Sequence, residues 1–205
     1  MSYLNLSVNR FLKLFVLLSA VLSVQAFAAE TKHPGAMMMQ SQNQKAILAG
    51  GCFWGMEEVF RKIPGVVKTQ VGYTGGKTDN PNYEQVSSGN TGFAESIEVE
   101  FDPAKVTYED ILKVFFRMHD PTSLNRQGND VGTQYRSEIF YRNDIQKQVA
   151  EKVIKLVDQS KKWPKPVVTK LEPAPKFYPA EEYHQKYLVK NPNGYNDHYL
   201  RSFTF

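Results

Sequence analysis

Cys52 is the single cysteine in the 205-residue chain, and it stands between Gly50-Gly51 and the aromatic pair Phe53-Trp54. One sulfur cannot build an internal disulfide, a four-cysteine zinc site or an intramolecular dithiol cycle. It can attack an electrophile if it ionises. The apolar run Ala46–Ala49 precedes it as a strand candidate, and helical spacing follows it at Phe53, Met56, Phe60 and Ile63. Cys52 is therefore expected in the first turn of a helix. Unpaired N–H groups and the positive end of the helix dipole there would favour a thiolate and lower the thiol pKa. Gly51 and Gly55 leave space for an approaching molecule. The alternative is an inert cysteine that fills a gap between helix and sheet.

A carboxyl group is the second candidate. The run Glu95-Ser96-Ile97-Glu98-Val99-Glu100-Phe101 alternates with period two. Ile97, Val99 and Phe101 define an apolar face, and Glu95 falls on that face at the strand end. Desolvation there would raise its pKa and let it hold a proton at neutral pH, as a general acid requires. The alternative is a side chain that bends back to water. The segment Asn125–Arg136, which contains Asp130 and Tyr135, is dense in hydrogen-bonding groups and glycine. Such a loop either holds a polar ligand or turns the chain. His119 and His184 are the weaker candidates for a base beside Cys52. The histidines show no metal-ligand spacing, so no metal is expected.

These residues need a scaffold, and the composition supplies the material for one. Hydrophobic residues make up 41%, charged residues 22% and aromatics 13%, which is a globular balance and excludes a disordered chain. Residues 1–28 read as a cleavable secretory signal peptide, with Arg10 and Lys13 before the apolar run Leu14–Val24 and Ala26-Phe27-Ala28 as the cleavage pattern. Removing it takes away two basic residues and no acidic ones, so the net charge of +4 is no argument for nucleic acid. The expected location is the periplasm or the cell exterior, with no membrane association after cleavage. Residues 29–45 read as a flexible arm.

Residues 46–205 read as one catalytic domain. Strands are expected at Ala46–Ala49, Val66–Tyr73, Glu95–Phe101, Ser137–Tyr141 and Val167–Leu171. Helices are expected from Cys52, from the cap Thr107 to His119, from Asp144 with Ile145, Val149, Val153 and Leu156 facing the core, and over Ala180–Val189. Lys77–Gly92 reads as a long polar loop. The order β-α-β-β-α-β predicts an α+β fold, a ferredoxin-like split β-α-β plait with a mixed sheet and a C-terminal extension.

The string Gly51-Cys52-Phe53-Trp54-Gly55 resembles the active-site signature of A-type peptide methionine sulfoxide reductases. Further blocks stand in the family order: Val71–Gly76, Asn82–Val86, Gly89–Glu95, Phe116–Thr122, Gln127–Ser137 and Tyr183–Leu188. Together they span nearly the whole domain, which is far more specific than one short motif. The resemblance implies thiol-dependent reduction of methionine-S-sulfoxide, free or in oxidised proteins, without a cofactor. It implies that Cys52 is the nucleophile, that Phe53 and Trp54 hold the substrate methyl group, and that Glu95 protonates the sulfoxide oxygen. Tyr83 and Tyr135 match the phenols that hydrogen-bond that oxygen, Asp130 belongs to the same polar network, and Tyr187 matches a further active-site tyrosine.

Many members of the family carry a resolving cysteine after a block like Lys190–Tyr195, whereas Asn196 stands there in this chain. The expectation is a Cys52 sulfenic acid reduced by an external thiol, from a thioredoxin-like or glutaredoxin-like donor, in a monomeric enzyme. Three other readings stay open: a one-cysteine thiol peroxidase, a cysteine–histidine hydrolase using His119 or His184, and an aromatic-rich binding protein. A peroxidase needs a Thr or Ser three residues before the cysteine, where Ala49 stands.

Overall fold

The computed structural model describes residues 42–205. The expected signal peptide, residues 1–28, and nearly all of the expected arm lie outside the described residues. The chain runs through β1 (Gln44–Gly50), α1 (Phe53–Phe60), β2 (Val66–Thr74), α2 (Tyr83–Ser87), β3 (Ala94–Phe101) and α3 (Tyr108–Met118). It continues through β4 (Arg126–Gln127), β5 (Asp130–Val131), a 3-10 turn at Thr133–Tyr135, β6 (Ser137–Tyr141) and α4 (Asp144–Ser160). It closes with β7 (Lys170–Pro173), β8 (Tyr178–Pro179) and α5 (Tyr187–Lys190).

The main sheet has the order β7-β6-β1-β3-β2-β8. Its centre, β6-β1-β3-β2, is antiparallel throughout, and β7 joins β6 in parallel. The β1-α1-β2 unit is thus split by β3, as the element order predicts, and the parallel edge makes the sheet mixed. Period two sorts the side chains. Ala46, Leu48, Ile97, Val99 and Phe101 turn to the main core with Phe53, Met56 and Phe60 of α1. Ile47, Ala49 and Phe140 join a smaller cluster on the opposite face. Helix α3 buries Ile111, Leu112, Phe115, Phe116 and Met118, and each such side chain contributes roughly 1.5–3 kcal/mol relative to exposure. Its start is fixed by a capping box in which Thr107 and Asp110 satisfy each other's backbone N–H groups.

Several sequence expectations need correction. β1 begins at Gln44, inside the stretch read as an arm, because Gln44 and Lys45 pair with Phe101 and Glu100. The polar loop contains a short helix, α2, which Asn82 and Gln85 close with a capping box. In α4, Ile145 is 74% exposed, and the buried residues are Gln146, Ala150, Val153 and Val157. The face is rotated by about one residue because Gln146 is a polar anchor: its amide donates to Lys45 O at 2.8 Å and accepts from the Arg142 N–H at 3.0 Å. The fifth strand begins at Lys170 instead of Val167. The last helix shrinks to Tyr187–Lys190, because Lys186 adopts a left-handed φ of 52° and interrupts the turns before it.

Candidate active site

Gly51 takes φ 106°, a region that only glycine enters freely, and this bends the chain from β1 into α1. Cys52 is the N-cap of α1, one residue earlier than the first turn. Its side chain makes no capping hydrogen bond to the helix, and the residue is only 6% exposed. Burial, and after it the charge of Glu95, push the thiol well above its ordinary pKa. The expected lowering is therefore overturned. A helix terminus supplies about 0.3–1 kcal/mol, whereas burial shifts a pKa by up to several units.

Glu95 is 2% exposed and lies on the core face of β3, as its parity predicts. It pairs in register with Tyr73 and accepts the Phe53 N–H at 3.1 Å. Burial drives its pKa up to about 8, the Phe53 N–H opposes this, and the nearby carboxylates Asp130 and Asp197 add to it. At neutral pH Glu95 therefore holds a proton.

Cys52, Phe53, Trp54, Tyr83, Glu95, Asp130, Tyr135 and Tyr195 line one cavity of about 90 Å³. Helix α2 presents Tyr83, the β5 strand presents Asp130, and the 3-10 turn presents Tyr135. Burial, followed by the charge of Glu95, raises the Tyr83 phenol to about 12 and moves Tyr135 upward as well. Tyr195 shifts upward through burial and the charge of Asp197. All three phenols keep their O–H and can donate a hydrogen bond. Burial and Asp197 raise Asp130 to about 6.

Tyr187 lies behind the cavity wall. Its ring stacks on Trp54 with centroids 3.7 Å apart and planes 12° apart. The Trp54 indole N–H donates to His184 Nδ1 at 3.0 Å. That bond occupies Nδ1 of His184, while its buried Nε2 has no hydrogen-bond partner among the described residues. His119 is committed elsewhere: its ring nitrogens meet Phe115 O and Ser137 Oγ, each at 2.7 Å, and burial drives its pKa down to about 3. Neither histidine lines the cavity that holds Cys52, which counts against the hydrolase reading.

The tail contributes more to the site than its sequence pattern suggests. Tyr195 enters the cavity lining, and Asp197 and His198 pack behind Cys52. His198 Nε2 donates to Gly50 O at 2.8 Å, and Nδ1 lies 2.6 Å from Asp197 Oδ1. A Cβ on Gly55 would sit 2.7 Å from His198 Nδ1, so that glycine makes room for the tail. Arg201 then pins the segment, since its backbone N–H donates to Arg117 O at 3.1 Å while the Arg117 guanidinium returns bonds to Arg201 O. The readable signal was an aromatic, an acid and a histidine close together in a stretch without periodicity.

A buried neutral thiol, a protonated carboxyl and several O–H donors around so small a space define a cysteine-dependent reductase that acts on a compact oxygen-bearing centre. The family model described as peptide methionine sulfoxide reductase matches residues 44–204. The chain is 53% identical over 161 residues to the peptide methionine sulfoxide reductase MsrA of Mycolicibacterium vanbaalenii, covering 78% of this chain and 93% of that one. Reduced Mxr1 of Saccharomyces cerevisiae is similar in structure, with TM-score 0.74, 42% identity, and coverage of 78% of this chain and 93% of that chain. Mxr1 in complex with Trx2 matches with TM-score 0.54 and 27% identity, over 79% and 92% of the two chains. The chain belongs to the peptide methionine sulfoxide reductase family, A type. It is an oxidoreductase that reduces methionine sulfoxide.

Proposed function

We propose that Cys52 attacks the sulfur of methionine-S-sulfoxide in the 90 Å³ cavity while Glu95 protonates the sulfoxide oxygen. The convergence of a buried, protonated Glu95 with Cys52 in one cavity carries this reading. A sulfoxide is a poor electrophile until its oxygen is protonated or strongly hydrogen-bonded. Tyr83 and Tyr135 supply the further O–H donors, each of a kind worth about 2.7–4 kcal/mol to a transition state. Phe53 and Trp54 enclose the methyl group, and Asp130 orders the polar side.

A Cys52 sulfur–sulfur bond forms as the sulfoxide sulfur–oxygen bond breaks. The oxygen leaves as water with one proton from the thiol and one from Glu95. Water then attacks the Cys52 sulfur, the sulfur–sulfur bond breaks toward the thioether, and a proton returns to Glu95. The products are methionine and a Cys52 sulfenic acid. Because the sequence holds one cysteine, an external thiol condenses with the sulfenic acid to a mixed disulfide and releases water. A second thiol then frees Cys52 as the external disulfide forms.

The complex of the similar Mxr1 with Trx2 supports a thioredoxin-like donor, with a glutaredoxin-like donor as the alternative. The leader pattern in residues 1–28 supports export to the periplasm or cell exterior, where the enzyme repairs oxidised proteins. An assay of each epimer of a methionine sulfoxide peptide with dithiothreitol tests the reading. The S epimer is turned over and Cys52→Ser is inactive; an idle wild type or an active Cys52→Ser overturns it.

A further inference from the structure

Glu57 is 1% exposed, lies one turn beyond Trp54 on α1, and has no ion-pair partner among the described residues. A buried carboxylate without a counter-charge is unfavourable, and an apolar side chain would suit that helix face better. Its two oxygens are both used. The Thr69 hydroxyl of β2 donates to one at 2.9 Å, and the Lys186 backbone N–H donates to the other at 2.6 Å. Lys186 is itself irregular, with a left-handed φ of 52° that a lysine adopts at an energetic cost. Strain of this kind persists only where the surroundings impose it, and it concentrates near functional sites.

The consequence lies next to Lys186. Two residues before it stands His184, which accepts the Trp54 indole N–H at 3.0 Å. One residue after it stands Tyr187, which stacks on Trp54 at 3.7 Å. Resting on the reading of Trp54 as a wall for the substrate methyl group, we propose that Glu57 is a positioning residue for methionine sulfoxide: it clamps the Lys186 turn to α1 and thereby fixes the Trp54 indole between His184 and Tyr187. Glu57 touches no reacting atom. It acts on binding through Trp54 and leaves Cys52 and Glu95 in place.

The bonding pattern sets which replacement rescues the clamp. Glu57→Gln keeps an acceptor for the Lys186 N–H, and its amide donates to Thr69, whose hydroxyl can reverse its role. Glu57→Met fills the volume and removes both acceptors. The experiment measures KM and kcat for an S-sulfoxide peptide, together with Trp54 emission in a Trp163→Phe background. Glu57→Met is expected to raise KM about tenfold with kcat changed less than about threefold, and to shift the Trp54 emission, while Glu57→Gln stays near wild type in both.

A Glu57→Met protein with wild-type KM and emission overturns the clamp, as does an equal failure of Glu57→Gln. Should Glu57→Met fail to fold, Thr69→Val removes one anchor alone. It is expected to raise KM about threefold with the same direction of emission shift, and no change overturns the clamp. Trp54→Leu separates the two claims. If it leaves KM unchanged, the reading of the pocket fails; if it raises KM while Glu57→Met does not, only the clamp fails.

Discussion

The cavity has two walls of different construction. Cys52, Phe53, Trp54 and Glu95 stand on α1 and β3, where backbone ladders and the main core fix each position. Asp130, Tyr135 and Tyr195 come from a two-residue strand, a 3-10 turn and the tail, all outside the main sheet. The regular wall carries the atoms that exchange bonds and protons in the proposed reaction. The irregular wall carries polar groups that orient them. Rigid secondary structure sets the reacting pair, and loops supply the adjustable surroundings.

The comparison breaks first at the regular wall. Cys52→Ser is expected to lower turnover by at least about 10⁴-fold, read from the release of methionine, since no other thiol is present. Glu95→Ala is expected to lose roughly 10²–10³-fold in kcat, whereas Glu95→Gln loses about tenfold because an amide still donates a hydrogen bond. Equal losses would argue against a donor role. The pH profile follows from the same group. With the Glu95 pKa raised to about 8, the active protonated form prevails below that pH, so kcat/KM falls as pH rises above about 8.

That proton also affects stability. The folded pKa of Glu95 lies above its unfolded value, so its contribution is fully present below pH 4.5 and is lost as pH rises toward about 8. Glu95→Gln cannot ionise and is expected to be more stable than wild type by about 2–4 kcal/mol at pH 8, and by less than about 1 kcal/mol at pH 5, in urea melts. The smallest effect belongs to the irregular wall. His198→Ala removes the bond to Gly50 O and is expected to cost about 1–3 kcal/mol of stability and less than about tenfold in kcat/KM. A loss as large as that of Glu95→Ala would erase the distinction between the walls.

The two walls also differ in how far sequence disclosed them. Period two placed Glu95 on the core face, and the glycine pair with helical spacing placed Cys52 at the start of α1. The split β-α-β order followed from the same periodicities. The tail offered no period. Tyr195, Asp197 and His198 are placed by Gly55, by Gly50 O and by the reciprocal Arg117–Arg201 bonds, all of which are distant in sequence. Side chains that serve as anchors hid other features. Gln146 disguises the buried face of α4, because a glutamine gives no apolar signal at that position. The thiol pKa departs from the sequence expectation for a related reason, since burial depends on what the tail and loops cover.

What most needs proof is that Cys52 alone reduces methionine sulfoxide and ends as a sulfenic acid. Mass spectrometry of the reduced protein after one equivalent of S-sulfoxide peptide, with no thiol donor present, tests it directly. One methionine peptide is expected to be released per chain, with one oxygen added at Cys52. Released methionine with Cys52 unmodified, or chains joined in a rapid disulfide-linked pair, would contradict it.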